Sequence, residues 1–465
     1  MYKSNAKCYA ELRQYLDNVP VIETHEHYTN YREAGDALDF VLGDYYMSDF
    51  MSAGGEGWEG ADAGGEAGET GAGGEAGAPC AEGCGKEQGD KRRRYEKFLS
   101  IYKKSDKTAY ARGMQEGLRL CWGVEGIGSY EEFAALEEKL KTRGEAVYGA
   151  FMEKLGIKAK IVDIFDISRF VSGEETGYSK YCRFAFPLPS FHGIHTKSDA
   201  LKYQKYLGCG TGGGAAGFWG GGRAVVSLDD YLESFDAYFQ KCVDFGVVCF
   251  KDQSAYGRTL AYGNPSKAEA EKAFNEIVFN PRDVFGGEQA RALDDWLFQY
   301  AMRIAAKYDL PVQLHTGHMA GIRNEIAKTN AAHLIPTLEL HSDVRFDLFH
   351  GNWPYMDEFL FIGKNYPNAY LNLCWVQSID PVYCVELMKR AVMTVPHSKL
   401  FAFGGDTGMI EWVAGYLALA RDNVACALSE LVDAGWLALG EAKQVAADWF
   451  FNNPNEFFRL GFPRA

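Results

Sequence analysis

Short runs of apolar, β-branched or aromatic residues recur along most of the chain, separated by stretches of helical periodicity. The runs that predict strands are Val21–His25, Ala159–Phe165, Arg183–Leu188, Gly246–Lys251, Pro311–His315, Arg345–His350, Ala369–Cys374 and Leu400–Gly404. Amphipathic segments at Leu228–Phe245, Glu288–Tyr308 and Met356–Tyr366 predict helices between them. Strands that are apolar along their whole length are buried on both faces, and alternation with helices predicts a parallel sheet covered by helices. Eight such strands predict an α/β fold of the (β/α)8 TIM barrel type rather than an open sheet. The gap from about residue 28 to 157 is too long for one helix. It predicts a helical insertion between the first and second strands, with helices at Lys91–Lys103 and Tyr130–Lys141. Trp412–Phe458 predicts extra helices at the C-terminal end.

Two stretches break the alternation. Residues 53–90 are rich in Gly, Ala and Glu and almost free of large apolar side chains. Such a stretch buries too little surface to offset its ordering entropy, which predicts a low-complexity flexible insert within one domain spanning residues 1–465. The basic KRRR that follows at 91–94 reads as a solvated helix start. Cys80 and Cys84 in CAEGC lack the second pair that a zinc knuckle needs. The other stretch, residues 207–223, contains Gly208-x-Gly210-x-x-Gly213, formally a dinucleotide fingerprint. The context fails, since no apolar strand precedes it and no helix follows at once. It reads as a loop whose Phe218 and Trp219 pack over something nearby.

With 47% apolar residues, the 465-residue chain can bury a large core. A formal charge of −15 disfavours nucleic acid and anionic membrane surfaces, which both require a basic patch. The 11 cysteines are odd in number and irregularly spaced, and Cys249 and Cys374 lie in apolar runs as small hydrophobes. That is the pattern of a reducing, cytoplasmic protein rather than a disulfide framework. The N-terminus is polar with no signal-peptide pattern, and no run of about 18 apolar residues is long enough to span a membrane.

Candidate chemistry sits where the strands end. In V21-I-E-T-H-E-H-Y28 the residues His25 and His27 are two apart, so on a strand they share one face. The fourth strand ends in Lys251, the fifth in His315 with His318 just beyond, the sixth in His350, and the eighth in Asp406. A barrel brings all C-terminal strand ends to one face, where active sites form. A lone histidine at a strand end is more often a hydrogen-bonded packing residue than a ligand, Lys251 alone suggests an ion pair, and Asp406 alone a helix cap. The joint pattern points to a site. Imidazole and carboxylate donors suit Zn²⁺ first, with Mn²⁺ or Fe²⁺ compatible, and exclude an all-oxygen Mg²⁺ or Ca²⁺ cage. His318 is a candidate catalytic residue that orients substrate, with packing as the alternative. Tyr256 and Arg258 after strand four, Arg323 and Asn324 after strand five, and Asn352 and Trp353 after strand six lie on loops that carry specificity in barrels. An arginine there would suit a substrate carboxylate, and a surface ion pair is the alternative. His192, His195, His333, His341 and His397 lack such placement and read as surface or packing residues.

The order of these motifs resembles the amidohydrolase superfamily of metal-dependent hydrolases. FGVVCFKDQSAYGRTL, PVQLHTGH, FDLFHGNWP and FAFGGDTGMIEWVAGYLALAR are similar to the amidohydrolase-related branch that includes domains fused to glutamine synthetase-like proteins. The resemblance covers the barrel from its first strand to the C-terminus, apart from the Gly-rich insert. Members of that branch usually have an apolar, structured segment after M-S-D-F, where this chain has the insert. The resemblance implies that His25, His27 and Asp406 hold one metal and His315 and His350 a second, bridged by a carboxylated Lys251. It implies one or two ions, water activated by metal, and Asp406 as general acid/base in hydrolysis of an amide, ester or lactone-type bond of a small molecule. A homo-oligomer is compatible with such a barrel. Two rivals remain open. MSDF before the insert resembles uronate isomerase sequences, and an isomerase or metal-dependent decarboxylase would use the same site with one metal and no bridging lysine. The other is a non-catalytic, metal-stabilised binding module.

Overall fold

In the computed structural model the chain is described for residues 3–28, 36–58, 84–164, 166–208, 223–280 and 285–465, with 84–90 described in backbone only. Eight strands lie in one sheet in sequence order. They are β1 (Val21–His27), β2 (Ile157–Asp163), β3 (Cys182–Pro187), β4 (Cys249–Asp252), β5 (Val312–Leu314), β6 (Phe346–Leu348), β7 (Ala369–Asn372) and β8 (Leu400–Phe401). Every adjacent pair is parallel. Past the short β8, three backbone bonds lace the following segment to β1: Thr24 N to Phe403 O, Asp406 N to His25 O and His27 N to Thr407 O. This closes the (β/α)8 barrel that the alternating pattern predicts.

The strands are shorter than their apolar runs at identifiable places. Gly246 takes a left-handed conformation and caps the Leu228–Phe245 helix, so β4 begins three residues later than Gly246. His350 and Asp406 also have positive φ, which ends the extended ladder and turns the chain over the barrel mouth. The helices at Leu228–Phe245, Gly287–Tyr308 and Met356–Asn365 form as their periodicity predicts.

The long β1–β2 connection is helical. It contains Ala37–Leu42, Tyr46–Phe50, Cys84–Ser105, Ala109–Trp122, Tyr130–Leu140 and Glu145–Leu155. The edges of the predicted flexible insert are structured. Residues 51–55 form a helical turn, Trp58 is buried edge-on to Phe50, and Cys84 opens a helix. The remainder of that stretch, 59–83 with Cys80, and residues 209–222 with Gly210, Gly213, Phe218 and Trp219, lie outside the described residues.

Ile410–Asp433 is the longest described helix and is buried on nearly all sides, with its buried charges paired: Glu411 with Arg143, Asp422 with Arg13, and Arg421 with the Leu155 carbonyl. It packs across Ala109–Trp122 and so ties the insertion to the barrel. Leu439–Ala447 and Asn453–Phe457 complete the C-terminal end. No described helix is long and apolar enough to cross a membrane.

Candidate metal centre

β1 delivers two histidines to the barrel mouth. His25 Nε2 lies 3.0 Å and His27 Nε2 3.3 Å from Asp406 Oδ1. The β1–β2 register shifts between Glu23 and Glu26, which sets the end of the strand. The positive φ of Asp406 swings its carboxylate back to the β1 histidines across the barrel seam. His350 Nε2 lies 3.8 Å from Asp406 Oδ2 and 3.1 Å from His315 Nδ1. The outer nitrogens are anchored: His315 Nε2 to the His318 carbonyl at 2.7 Å, and His350 Nδ1 to the Cys374 carbonyl at 3.1 Å. Anchoring one ring nitrogen fixes the tautomer and aims the other inward. His25 differs, since neither ring nitrogen meets hydrogen-bond geometry with a partner among the described residues. Lys251 is buried, stands over the Phe349 ring at 5.1 Å, and forms no ion pair among the described residues.

Electrostatics keep most of these imidazoles neutral. Burial pushes His25 down to about 4, with Lys251 adding to the effect. Burial likewise takes His350 to about 3 and His315 well below the usual imidazole value. For Asp406 burial acts upward, but His25 and His27 outweigh it and hold the carboxyl well below the usual range. His27 moves the other way: burial lowers it, and the Asp406 carboxylate more than reverses this. Metal ligands must be deprotonated, so neutral imidazoles around an ionised carboxylate are a prepared donor set. Ligand atoms of His25, His27 and Asp406 lie within 4.8 Å of one another. These donors converge with an unsatisfied buried imidazole among them, which fits a divalent metal.

A cavity of about 290 Å³ opens beside this cluster, with His27, Lys251, Tyr256, His315 and Asp406 in its wall. The other sequence-predicted residues fall elsewhere. His318 does not line the cavity. Its ring stands 5.3 Å from Trp353 and 5.0 Å from Trp375, and burial lowers it to about 4. Its contribution to the cluster is the carbonyl that anchors His315. Arg258 pairs with Asp295 and lies over the Tyr262 ring, turned away from the cavity. Arg323 is exposed and pairs with Glu56 at 2.7 Å. Trp353 Nε1 donates to Asp380 at 3.4 Å. Asn324 and Asn352 hold neighbouring backbone groups, Met319 O and Ala331 N among them. Tyr256 is the predicted loop residue on the cavity wall; its hydroxyl accepts from Ala320 N at 3.0 Å. The remaining histidines take local partners, His195 with Asp294 and His341 with Gln299 among them.

Some groups at the site escaped the sequence reading. Cys374, read as a small hydrophobe, forms a second cluster of donor atoms with His350 and Asp406, though burial holds its thiol well above the ordinary value. Asp163 and Gln253 line the cavity. Gln253 is two residues beyond Lys251, the same alternation that picked out His25 and His27. Asp163 was concealed inside a strand drawn two residues too far.

Fold and site together define a (β/α)8 barrel with a candidate set of metal donors at its C-terminal strand ends. A model of the amidohydrolase family matches residues 218–460, more than half of the sequence, and the chain belongs to that family. Protein fluG of Emericella nidulans is 29% identical over 249 residues, 49% of this chain and 28% of that protein. The chain therefore spans little more than a quarter of that relative's length. Three solved structures share the fold over nearly their full length. Glucuronate isomerase from Caulobacter crescentus has a TM-score of 0.72 at 16% identity, covering 99% of this chain and 96% of that one. Uronate isomerase from Thermotoga maritima has 0.70 at 11%, covering 98% of each. A protein described as a metal-dependent hydrolase from Lactobacillus casei has 0.63 at 12%, covering 97% of each.

Proposed function

We propose that the chain is a metal-dependent hydrolase acting on an amide, ester or lactone-type bond of a small molecule. The observation that carries this reading is Lys251. It is buried, its charge acts on His25, His27, His315 and His350, and no carboxylate is paired to it among the described residues. A buried ammonium without a partner is costly, and its field works against metal binding. Carboxylated on Nζ, the same side chain is an anionic bidentate ligand and the conflict disappears. His25, His27 and Asp406 would hold one ion and His315 and His350 a second, with Lys251 between them. Zinc suits this donor set best. A bound divalent metal supplies Lewis acidity, activating water and polarising the scissile carbonyl. Asp406 accepts the proton from the water and passes it to the leaving group. His318, packed against two tryptophans, holds the His315 ring through its backbone carbonyl, and its own imidazole does not reach the substrate.

The test is metal content per chain by elemental analysis, on protein purified without added metal, for wild type and Lys251→Ala. About two ions falling to one or none in the variant supports the bridged hydrolase. One ion, unchanged in the variant, overturns it and favours a single-metal isomerase or decarboxylase.

A further inference from the structure

We infer that the cavity wall recognises an ammonium group of the substrate through Asp163 at the end of β2, with Gln253, just past β4, lining the same cavity. This rests on the cavity being the substrate site of the proposed hydrolase. Asp163 is 4% exposed and Gln253 8%, and both line the cavity. Asp163 Oδ1 and Gln253 Oε1 are buried and have no hydrogen-bond partner among the described residues. The other carboxylates of the same wall are engaged. Asp44 accepts from Tyr45 N at 2.6 Å and from Thr407 Oγ1 at 2.8 Å, and Asp406 faces His25 and His27. Asp163 is thus the wall carboxylate left with an open oxygen.

A buried acceptor that no protein donor reaches keeps its desolvation penalty until a ligand satisfies it. A carboxylate can only accept, and its charge favours a cationic donor over a neutral one. The Gln253 amide can present either its oxygen or its NH2, so it accommodates whatever lies beside the ammonium, while Asp163 sets the sign. Lys251 and His27, which the Asp406 carboxylate raises, are the basic side chains among the described residues of the wall, and both belong to the proposed metal site, where carboxylation and metal binding would remove their charge. A substrate carboxylate placed at the β2 end would face Asp163 directly. Asp163 is the cross-strand partner of His27, so an ammonium bound there lies close to the donor cluster, and the substrate class is an amide or ester with a primary amine near the scissile bond.

The test uses the metal-loaded protein and three p-nitroanilides that differ in the group carried near the scissile bond: alanyl (α-ammonium), lactyl (α-hydroxyl) and succinyl (β-carboxylate). Wild type should favour the alanyl compound over both others by at least tenfold in kcat/KM. In Asp163→Asn, with metal content unchanged, the alanyl-to-lactyl ratio should fall toward one. A preference for the lactyl or succinyl compound, or a ratio that Asp163→Asn leaves intact, overturns the inference. Failure to cleave any of the three would count against hydrolysis, and binding then decides. Calorimetric titration with alaninamide, lactamide and succinamate should show preferential alaninamide binding that is lost in Asp163→Asn. Equal binding, or none, refutes the ammonium site. Should Asp163→Asn fail to fold, the order among the three ligands on wild type decides alone.

Discussion

At the scale of single residues, the layer beneath the donors is as telling as the donors themselves. Asp347 on β6 is fully buried inside the barrel. Its Oδ2 accepts from Gln313 Nε2 and Asn372 Nδ2, each at 3.0 Å, while Oδ1 has no partner among the described residues. Burial raises its carboxyl to about 7. The folded state therefore holds a proton that the unfolded chain gives up near 3.8. A raised carboxyl contributes stability that is complete below the unfolded value and lost as pH climbs through the folded one. At about 1.4 kcal/mol per unit, the loss between pH 4 and 7 amounts to at most about 4 kcal/mol. Asp347→Asn removes that slope. Its stability relative to wild type, from denaturant unfolding at several pH values, should rise from pH 4 to 7 and level off above; a parallel pair of curves would refute a buried neutral Asp347. Residues of this kind are hard to read from sequence, because a polar residue inside an apolar run does not reveal which neighbours satisfy it. The strand-end histidines, Lys251 and Asp406 were legible because chemistry and position coincide there. For Arg258 and Arg323 the sequence left a substrate carboxylate and an ion pair both open, because charge carries no direction, and the ion pair is what the structure shows. Arg258, in the loop after β4, turns to Asp295, 37 positions away on the Gly287–Tyr308 helix, and Arg323 turns to Glu56 in the insertion.

At the scale of elements, the existence of all eight strands and of the main helices was written in the hydrophobic pattern, while the close contacts between helices were not. The Ala109–Trp122 and Ile410–Asp433 helices meet backbone to backbone. A Cβ built on Gly415 would lie 1.8 Å from Gly113 O, and one on Gly117 2.0 Å from Glu411 O. Neither partner is a flexible side chain, so the helices would have to part. That crossing holds the insertion against the barrel helix that follows the Asp406 strand end. Gly415→Ala should destabilise the protein by about 1–3 kcal/mol, as overpacking does. Gly440 lies in the Leu439–Ala447 helix with open space around its Cα, and Gly440→Ala should be neutral or slightly stabilising. Calorimetric melting of the two variants side by side separates the effects; equal melting points would mean that the helices are free to separate. Both glycines sit in helical sequence, where periodicity alone marks them only as weak helix formers. The contact that demands one of them comes from residues about 300 positions away.

At the scale of the whole molecule, the donor set straddles the seam of the barrel. β1 and the segment after β8 are the first and last parts of the sheet, nearly 380 positions apart in the sequence. Three backbone hydrogen bonds join them, at the amides of Thr24, His27 and Asp406. His25 and His27 stand on one side of that seam and Asp406 on the other. An ion held by these three residues would clamp the two ends of the chain's barrel, a linkage through which binding energy becomes folding energy. Local opening at the seam should then depend on metal more than opening elsewhere in the sheet. Amide hydrogen exchange makes this measurable. Chelation should accelerate exchange at Thr24, His27 and Asp406 by at least tenfold, about 1.4 kcal/mol of opening free energy. The amides of Phe250 and Val312, whose bonds join β4 to β5 and β5 to β6, should change less. Uniform acceleration at all five would make the metal a global stabiliser without a special hold on the seam. No change at any of them would mean that the barrel closes on its backbone hydrogen bonds alone, and that His25, His27 and Asp406 meet there for catalysis without contributing to closure.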